Sequence, residues 1–423
     1  MANITKTKSP NSTLNFAGIG CNNQGWRDVK SIGTHDKVNV VGYCDIDSNM
    51  FKNVASAWPG KPMYADYREM FDKMGDDIDA VNVSTPDHMH APIAMEAMRR
   101  GKHVYCEKPL THTVWEARQM AKLAKKMGVT TRLGNQIHSE PQYRATKVMV
   151  QEGVIGKVKE IHTWISASGH GRSGVLSAPK EPVEAPANVA WDNWIGAAPM
   201  RPYGGDGVYH PRSWRDWQTF GSGSIGDNGC HLLDPLYTAL DLTNPLSITN
   251  NHTGLNKEIW PAQETIIYTF PGTKYTASDQ LRITWYDGGR RPNFKLPGTP
   301  SGHELPQPAS LIIGEKGNLL VPHWGTPKLF PEADYADYKL PDVGKRNHWH
   351  DWVDACLSGE AISDDFAYAG PLTEAVQLGN VAAHFPGKTL QWDAAALKVV
   401  NIPEANLFLT KEYRKGWEVE AVV

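Results

Sequence analysis

The stretch LNFAGIGCNNQG, residues 14–25, decides the fold of the first third of the chain. A short apolar run closes on Gly18-Ile19-Gly20, and a helix-compatible segment continues to about Gly33. This is the order a phosphate-binding βα turn requires, because glycines let the backbone approach a pyrophosphate at a helix N-terminus. Asn23 holds the place of the third glycine of G-x-G-x-x-G, and Gly25 follows two residues later. Outward from the turn, VNVVGYC (38–44), AVNVS (80–84), HVYC (103–106) and Val129–Leu133 read as further short strands. Between them, Asn49–Ala57, Tyr67–Met74, 88–100 and Val114–Met127 read as helices. Short strands alternating with helices mean βαβ units and a parallel sheet. Asp45 ends the second strand, where a carboxylate accepts hydrogen bonds from the ribose hydroxyls of NAD and repels the extra phosphate of NADP.

After Asn135 the rhythm changes. A helix around Gln142–Gln151 precedes longer alternating runs at 158–167, 264–270, 277–286 and 310–313. Such runs suit an antiparallel sheet with one exposed face. Residues 169–224 read as a loop rich in Gly, Pro and Trp, and 349–357 and 373–383 return to helical periodicity, with a short strand at 389–392. The expected fold class is therefore α/β. A Rossmann-type parallel domain spans 1–137, and an α+β domain on a large open, mainly antiparallel sheet spans 138–423, its late helices free to pack back on the first domain.

The 423 residues carry 43 basic and 46 acidic side chains, with no Lys/Arg block, so a nucleic-acid partner is not expected. No run approaches the ~18 apolar residues of a membrane helix. The polar opening MANITKTKSPNS lacks the apolar centre of a signal peptide, which points to the cytoplasm unless a leader has been removed. Five scattered cysteines read as free thiols. His88-x-His90 and His348-x-His350 lack further ligands at a telling spacing, so no metal is expected.

The run STPDHMHAPIAMEAMRRGKHVYCEKPLTHTVWEA (84–117) resembles the central pattern of the glucose–fructose oxidoreductase/inositol dehydrogenase family, Gfo/Idh/MocA, of NAD(P)-dependent enzymes. The resemblance continues through Gly134-Asn135-Gln136, GSGSIGDNGCHLLD (221–234) and HWHDWVDAC (348–356). It implies NAD as cofactor, held by Gly18, Gly20, Asn22, Asp45, Thr85, Pro86, His90, Glu107, Lys108, Asn135 and Gln136. It also implies a catalytic set of Lys108, His231 and Asp227, the last two four apart and so on one helix face. In this reading His231 is the general base, and the Asp227 carboxylate orients its imidazole. His138 stands where many family members carry Arg.

Fifteen tryptophans are many for this length. Trp191, Trp194, Trp214 and Trp217 share one loop with Tyr209, Arg212 and Arg215, a mixture suited to sugars, whose C–H faces stack on rings while polar tips bind hydroxyls. Trp191 and Trp194 are expected in a core or an interface. His138, Tyr209, Arg212, Trp214 and Arg215 are the expected substrate contacts, and a homo-oligomer is expected from the resemblance. The expected activity is oxidation of a secondary hydroxyl of a sugar, glycoside or polyol, with C3 of a glycoside leading. An NAD-dependent glycosidase working by transient C3 oxidation and elimination is the alternative. A non-catalytic NAD- or sugar-binding protein is a remote third.

Overall fold

The computed structural model describes residues 13–422. The polar opening segment, on which the expectation about a leader rests, lies outside the described residues. The first domain runs β1 (Leu14–Ile19), α1 (Gln24–Gly33), β2 (Val38–Cys44), α2 (Lys52–Ala57), β3 (Met63–Tyr64), α3 (Tyr67–Met74), β4 (Ala80–Val83), α4 (Asp87–Arg99), β5 (His103–Glu107), α5 (Val114–Met127) and β6 (Thr131–Gly134). Its six strands are all parallel, in the order β3-β2-β1-β4-β5-β6. Chain order reverses between β1 and β4, which opens a crevice at their carboxyl ends, the usual ligand position in such sheets. The helices are locally specified. In α5, Thr113 and Glu116 form a capping box, and Gly128 closes the C-terminus in the left-handed conformation.

The second domain adds α6 (Pro141–Gln151), β7 (Val158–Trp164), α7 (Trp191–Ile195), α8 (Gly223–Leu240), β8 (Ser247–Thr253), β9 (Gln263–Pro271), β10 (Gln280–Tyr286), β11 (Ala309–Gly314), β12 (Asn318–Pro322), β13 (Lys328–Phe330), α9 (His348–Ser358), α10 (Phe366–Ala383), β14 (Thr389–Asp393) and β15 (Lys398–Val399). Nine strands form one open sheet, antiparallel throughout except for the β7–β10 pair. Along β9 burial alternates residue by residue, so one face of the sheet is covered while Thr265, Ile267 and Thr269 are half-exposed. Helix α8 lies against α6 and α10, and α10 in turn packs on α5. Helix α9 packs on α1. No helix among the described residues is long and apolar enough to cross a membrane.

A buried ion pair ties the two domains together. Arg132 Nε lies 3.0 Å from Asp364 Oδ2, with both side chains at most 3% exposed. Its remaining nitrogens donate to the His348 carbonyl and to Ser139 Oγ. Removing one partner strands a buried charge. Asp364→Ala should therefore cost about 3–5 kcal/mol, and the apolar double substitution Arg132→Met/Asp364→Leu should cost less. Denaturant midpoints of the two variants check this ordering.

Candidate active site

A cleft of about 690 Å³ runs along the carboxyl ends of β1, β2, β4 and β5 and under the loop that precedes α8. That size is ordinary for a cofactor site. At the switch point Gly20 adopts φ +83°, and a Cβ there would sit 2.3 Å from the Ser84 carbonyl oxygen. Gly25 is pressed as closely, its Cβ position 2.3 Å from the Gly20 carbonyl. Gly25 thus supplies the close approach of helix to turn that the missing third glycine would otherwise provide. Asn23 takes φ +48° with ψ −114°, outside the left-handed helical region, so the turn holds a strained backbone at the position where the family motif has its third glycine. Gly18 is packed against Val29 of α1 and serves the helix–strand contact. The N-terminus of α1 has no side-chain cap and no acidic residue in its first turn, which leaves its N–H groups available to an anion.

Around this turn the donor set fits a dinucleotide. Asn22 and Asp45 line the cleft. Asp45 accepts from the Cys21 N–H at 2.9 Å and the Asp47 N–H at 3.1 Å. Burial pushes its carboxyl up to about 6, against the pull of those two N–H groups. Thr85, Pro86, Glu107 and Lys108 continue the same wall. His90 lies beneath it. Its ring nitrogens are each 2.8 Å from a backbone carbonyl, those of Thr85 and Pro109, so it holds two wall segments together from behind. Glu107 accepts from Gln24 Nε2 at 3.2 Å, and burial, with Asp28 nearby, pushes its carboxyl well above the usual range. From the second domain, His210 reaches across to Asp47 at 3.0 Å and lines the cleft beside Asp45.

The other end of the cleft is built on α8. Its Gly223–Leu240 span places Asp227 and His231 one turn apart on a partly exposed face; Asp227 lines the cleft, whereas His231 lies just beyond its lining, its ring centre 5.4 Å from that of His323. Here the structure departs from the expected pairing. Asp227 does not contact His231; its Oδ1 takes Lys108 Nζ at 2.8 Å and Arg215 Nε at 3.0 Å, and its Oδ2 takes Arg172 Nη2 at 3.1 Å. Burial would raise the Asp227 carboxyl, but Arg215, Lys108 and Arg172 outweigh it and hold the group well below the usual carboxylate range. The partner of His231 is Asn135, whose Oδ1 accepts from His231 Nδ1. Asn135 Nδ2 is committed to the Cys230 carbonyl at 3.0 Å, so its oxygen must face the imidazole. That fixes the tautomer: Nδ1 carries the proton, and Nε2 is bare, with no protein partner among the described residues. Burial, then Lys108 and His323, hold the His231 imidazole well below its ordinary value, hence neutral.

The remaining expected contacts divide. Arg212, Trp214 and Arg215 line the cleft. Tyr209 is 1% exposed, packed among Trp194, Trp217 and Phe220, and belongs to a core. Trp191 stacks on Trp194 with ring centres 4.6 Å apart, as expected of interior rings, although Trp194 also shows an edge to the cleft. His138 is drawn away from the cleft into a buried network, 2.8 Å from both Asp234 Oδ1 and Ser363 Oγ, so its ring nitrogens are taken. Gln136 lies with Ser139, Arg346 and His348 in a separate small pocket. The histidines of the two His-x-His pairs turn to the protein itself. His88 faces the Trp194 carbonyl, His348 the Leu133 carbonyl and His350 the Ser31 carbonyl. Arg172 was not expected. It comes from a glycine-rich loop without a motif, and only the folded chain brings it to Asp227.

Comparison with known proteins agrees with this architecture. The family's model for its NAD-binding Rossmann fold matches residues 14–135, and that for its C-terminal alpha/beta domain matches 142–276. The chain belongs to the Gfo/Idh/MocA oxidoreductase family. Its N-terminal unit is thus the NAD-binding Rossmann domain of that family. Among curated relatives, this Gfo/Idh/MocA chain is 28% identical over 138 residues to the uncharacterized oxidoreductase YrbE of Bacillus subtilis, covering 33% of this chain and 40% of that protein. It is 34% identical over 94 residues to levoglucosan dehydrogenase of Pseudarthrobacter phenanthrenivorans, covering 22% and 24%. It is 30% identical over 154 residues to glycosyl hydrolase family 109 protein 1 of a Shewanella species, covering 34% and 33%. The matches therefore span well under half of these relatives' own lengths. Among solved structures, the WlbA dehydrogenase of Bordetella pertussis, crystallised with NADH and UDP-GlcNAcA, superposes with a TM-score of 0.62 at 17% identity, covering 90% of this chain and 99% of that one. An inositol dehydrogenase homolog of Azotobacter vinelandii gives 0.59 at 16% identity, covering 91% and 100%. These two likenesses concern the fold.

Proposed function

We propose that the cleft binds NAD and that the chain oxidises a secondary hydroxyl of a sugar, glycoside or polyol, with C3 of a glycoside as the leading site. The observation that carries this reading is the bare Nε2 of a neutral His231, locked by Asn135 and set one turn from the Lys108–Asp227 pair. Bound NAD would supply the hydride acceptor; His231 takes the hydroxyl proton, and the carbinol carbon, having lost its hydride, becomes a ketone. Lys108 stabilises the oxygen as its charge develops, and Asp227 fixes the ammonium for that task. Arg215 and Arg172 hold Asp227 ionised, so the carboxylate does not compete for the proton. His210, Pro211, Arg212, Trp214 and Arg215, from the loop before α8, line the same cleft. Titration with NAD and a panel of glycosides, followed by NADH absorbance, tests the reading directly.

A second reading is favoured by the family 109 relative: transient oxidation, elimination of the aglycone, addition of water and reduction. It begins with the same residues, and release of aglycone without net NADH distinguishes it.

Two outcomes follow at this site. NAD should bind at least tenfold more tightly than NADP, because Asp45 would face the extra phosphate while positions 46 and 48 are Ile and Ser; paired dissociation constants check it. Trp214, 5% exposed, carries the Arg215 guanidinium 4.2 Å over its ring. Trp214→Ala should raise KM for a glycoside severalfold and leave NAD affinity nearly unchanged; equal losses in both would make it a structural tryptophan.

A further inference from the structure

Three residues apart on the cleft loop, Arg212 and Arg215 present guanidinium groups whose hydrogen-bonding capacity the protein uses only in part. Arg212 lines the cleft and has no side-chain partner among the described residues. Arg215 is different in kind, because it is built in. Its Nε is anchored on Asp227 Oδ1 at 3.0 Å and its plane lies over Trp214. Both of its terminal nitrogens nevertheless lack a protein partner among the described residues. Asp227 cannot satisfy them, since its two oxygens already take Lys108, Arg215 and Arg172. Arg172 spends its other terminal nitrogen on Asp216 at 3.0 Å. Lys108, Arg215 and Arg172 therefore converge on the Asp227 carboxylate, which is shared three ways, while Asp216 takes Arg172 and the buried Asp87 and Glu107 also face Arg215. A planar guanidinium held by stacking and one anchored nitrogen loses little entropy when it grips an anion, and its free edge matches a carboxylate or phosphate.

Resting on the sugar-oxidising reading above, we propose that Arg215 and Arg212 form a subsite for an anionic group on the substrate, so that the substrate is an acidic sugar: a carboxylate- or phosphate-bearing glycoside or sugar acid. Arg215 and Lys108 share one oxygen of Asp227, which puts the anion only a few bonds from the oxidised hydroxyl. A uronic acid or a hexose phosphate has that spacing within one ring. A neutral glucoside would leave the guanidinium edges to water.

The test compares a glucoside, the matching glucuronide and the matching glucoside 6-phosphate, with calorimetric binding of glucose, glucuronate and glucose 6-phosphate to the NAD-loaded protein alongside. The subsite predicts a kcat/KM for at least one acidic substrate about 10–100-fold above that for the neutral one, the factor expected of a charge-assisted hydrogen bond. The larger of the two advantages tells carboxylate from phosphate. Arg212→Ala should shrink the acidic-to-neutral ratio at least tenfold, Arg212→Lys should restore part of it, and the advantage should fall with added salt. Equal binding and turnover of acidic and neutral sugars would overturn the subsite while leaving the sugar-oxidising reading intact. So would an Arg212→Ala variant that loses NAD affinity and keeps the ratio, since Arg212 would then serve the cofactor's phosphates. Calorimetric binding needs no turnover, so it decides the subsite even where no glycoside is oxidised, the result that would sink the broader reading.

Discussion

Lys108→Ala is expected to lower kcat by at least ~10²–10³-fold, the loss typical when a group stabilising a developing oxyanion is removed. The geometry gives the reason. Lys108 is 10% exposed, its Nζ bonded to both the side chain and the backbone carbonyl of Asp227 at 2.8 and 3.0 Å. It is a fixed charge, already oriented before substrate arrives. Removing it leaves the alkoxide character of the reacting oxygen unbalanced, and relieves the electrostatic pressure that keeps His231 neutral. NAD affinity should change far less than kcat, because the turn at Gly20 and the carboxylate of Asp45 are untouched. Stopped-flow turnover and equilibrium NAD binding on the same variant separate the two effects.

His231→Ala should lower kcat by ~10²–10⁴-fold, the usual contribution of a general base. Its pH signature follows from the direction of the shift. A base whose imidazole is held well below 6.5 stays unprotonated, hence competent, through neutrality and below it. The acid limb of kcat/KM should therefore lie below pH 6.5 in the native protein and vanish in His231→Ala. Asn135→Ala frees the ring to adopt the other tautomer. It should cost kcat while moving the limb, whereas Asn135→Asp, which keeps an acceptor, should raise the imidazole and shift the limb upward. Asp227→Asn should act through Lys108, since Asp227 does not touch His231, and so should leave the position of that limb largely in place. An Asp227→Asn limb that moved as far as that of Asn135→Asp would restore the pairing expected from the sequence.

Much of the fold was legible in the chain because its strands are strongly patterned. VNVVGYC and Val114–Met127 begin and end where the sequence pattern places them. Strand β8, SITNNHT, was not, because its inward polar residue Asn250 is made tolerable only by Glu264 and the Gly379 carbonyl, contacts made across the tertiary structure. Helix α10 begins seven residues before its expected start, since Gly370 and Pro371 interrupt the pattern while Asp365 caps the true N-terminus. At the site, the structure does bring Lys108 and Asp227 together, as a pair 2.8 Å apart, but the expectation that Asp227 orients His231 does not match the contacts. Residues four apart share a face, yet that says nothing of what each meets across the cleft. Arg172 drew Asp227 one way and Asn135 drew His231 the other, and both act from segments distant in sequence. Tyr209 and His138 were misplaced for a related reason: an aromatic or a histidine in a loop reads alike whether it faces a ligand or a buried partner.

The central claim is that a C–H bond of a sugar carbinol breaks at this cleft, with His231 taking the hydroxyl proton. Turnover of a glycoside deuterated at C3, compared with its unlabelled form in the native protein, tests this most directly, with the label followed into the nicotinamide by mass spectrometry. The account predicts slower turnover of the deuterated glycoside and deuterium in the reduced cofactor. Identical rates, with no label reaching the nicotinamide from C3 or from any other ring carbon, would contradict it.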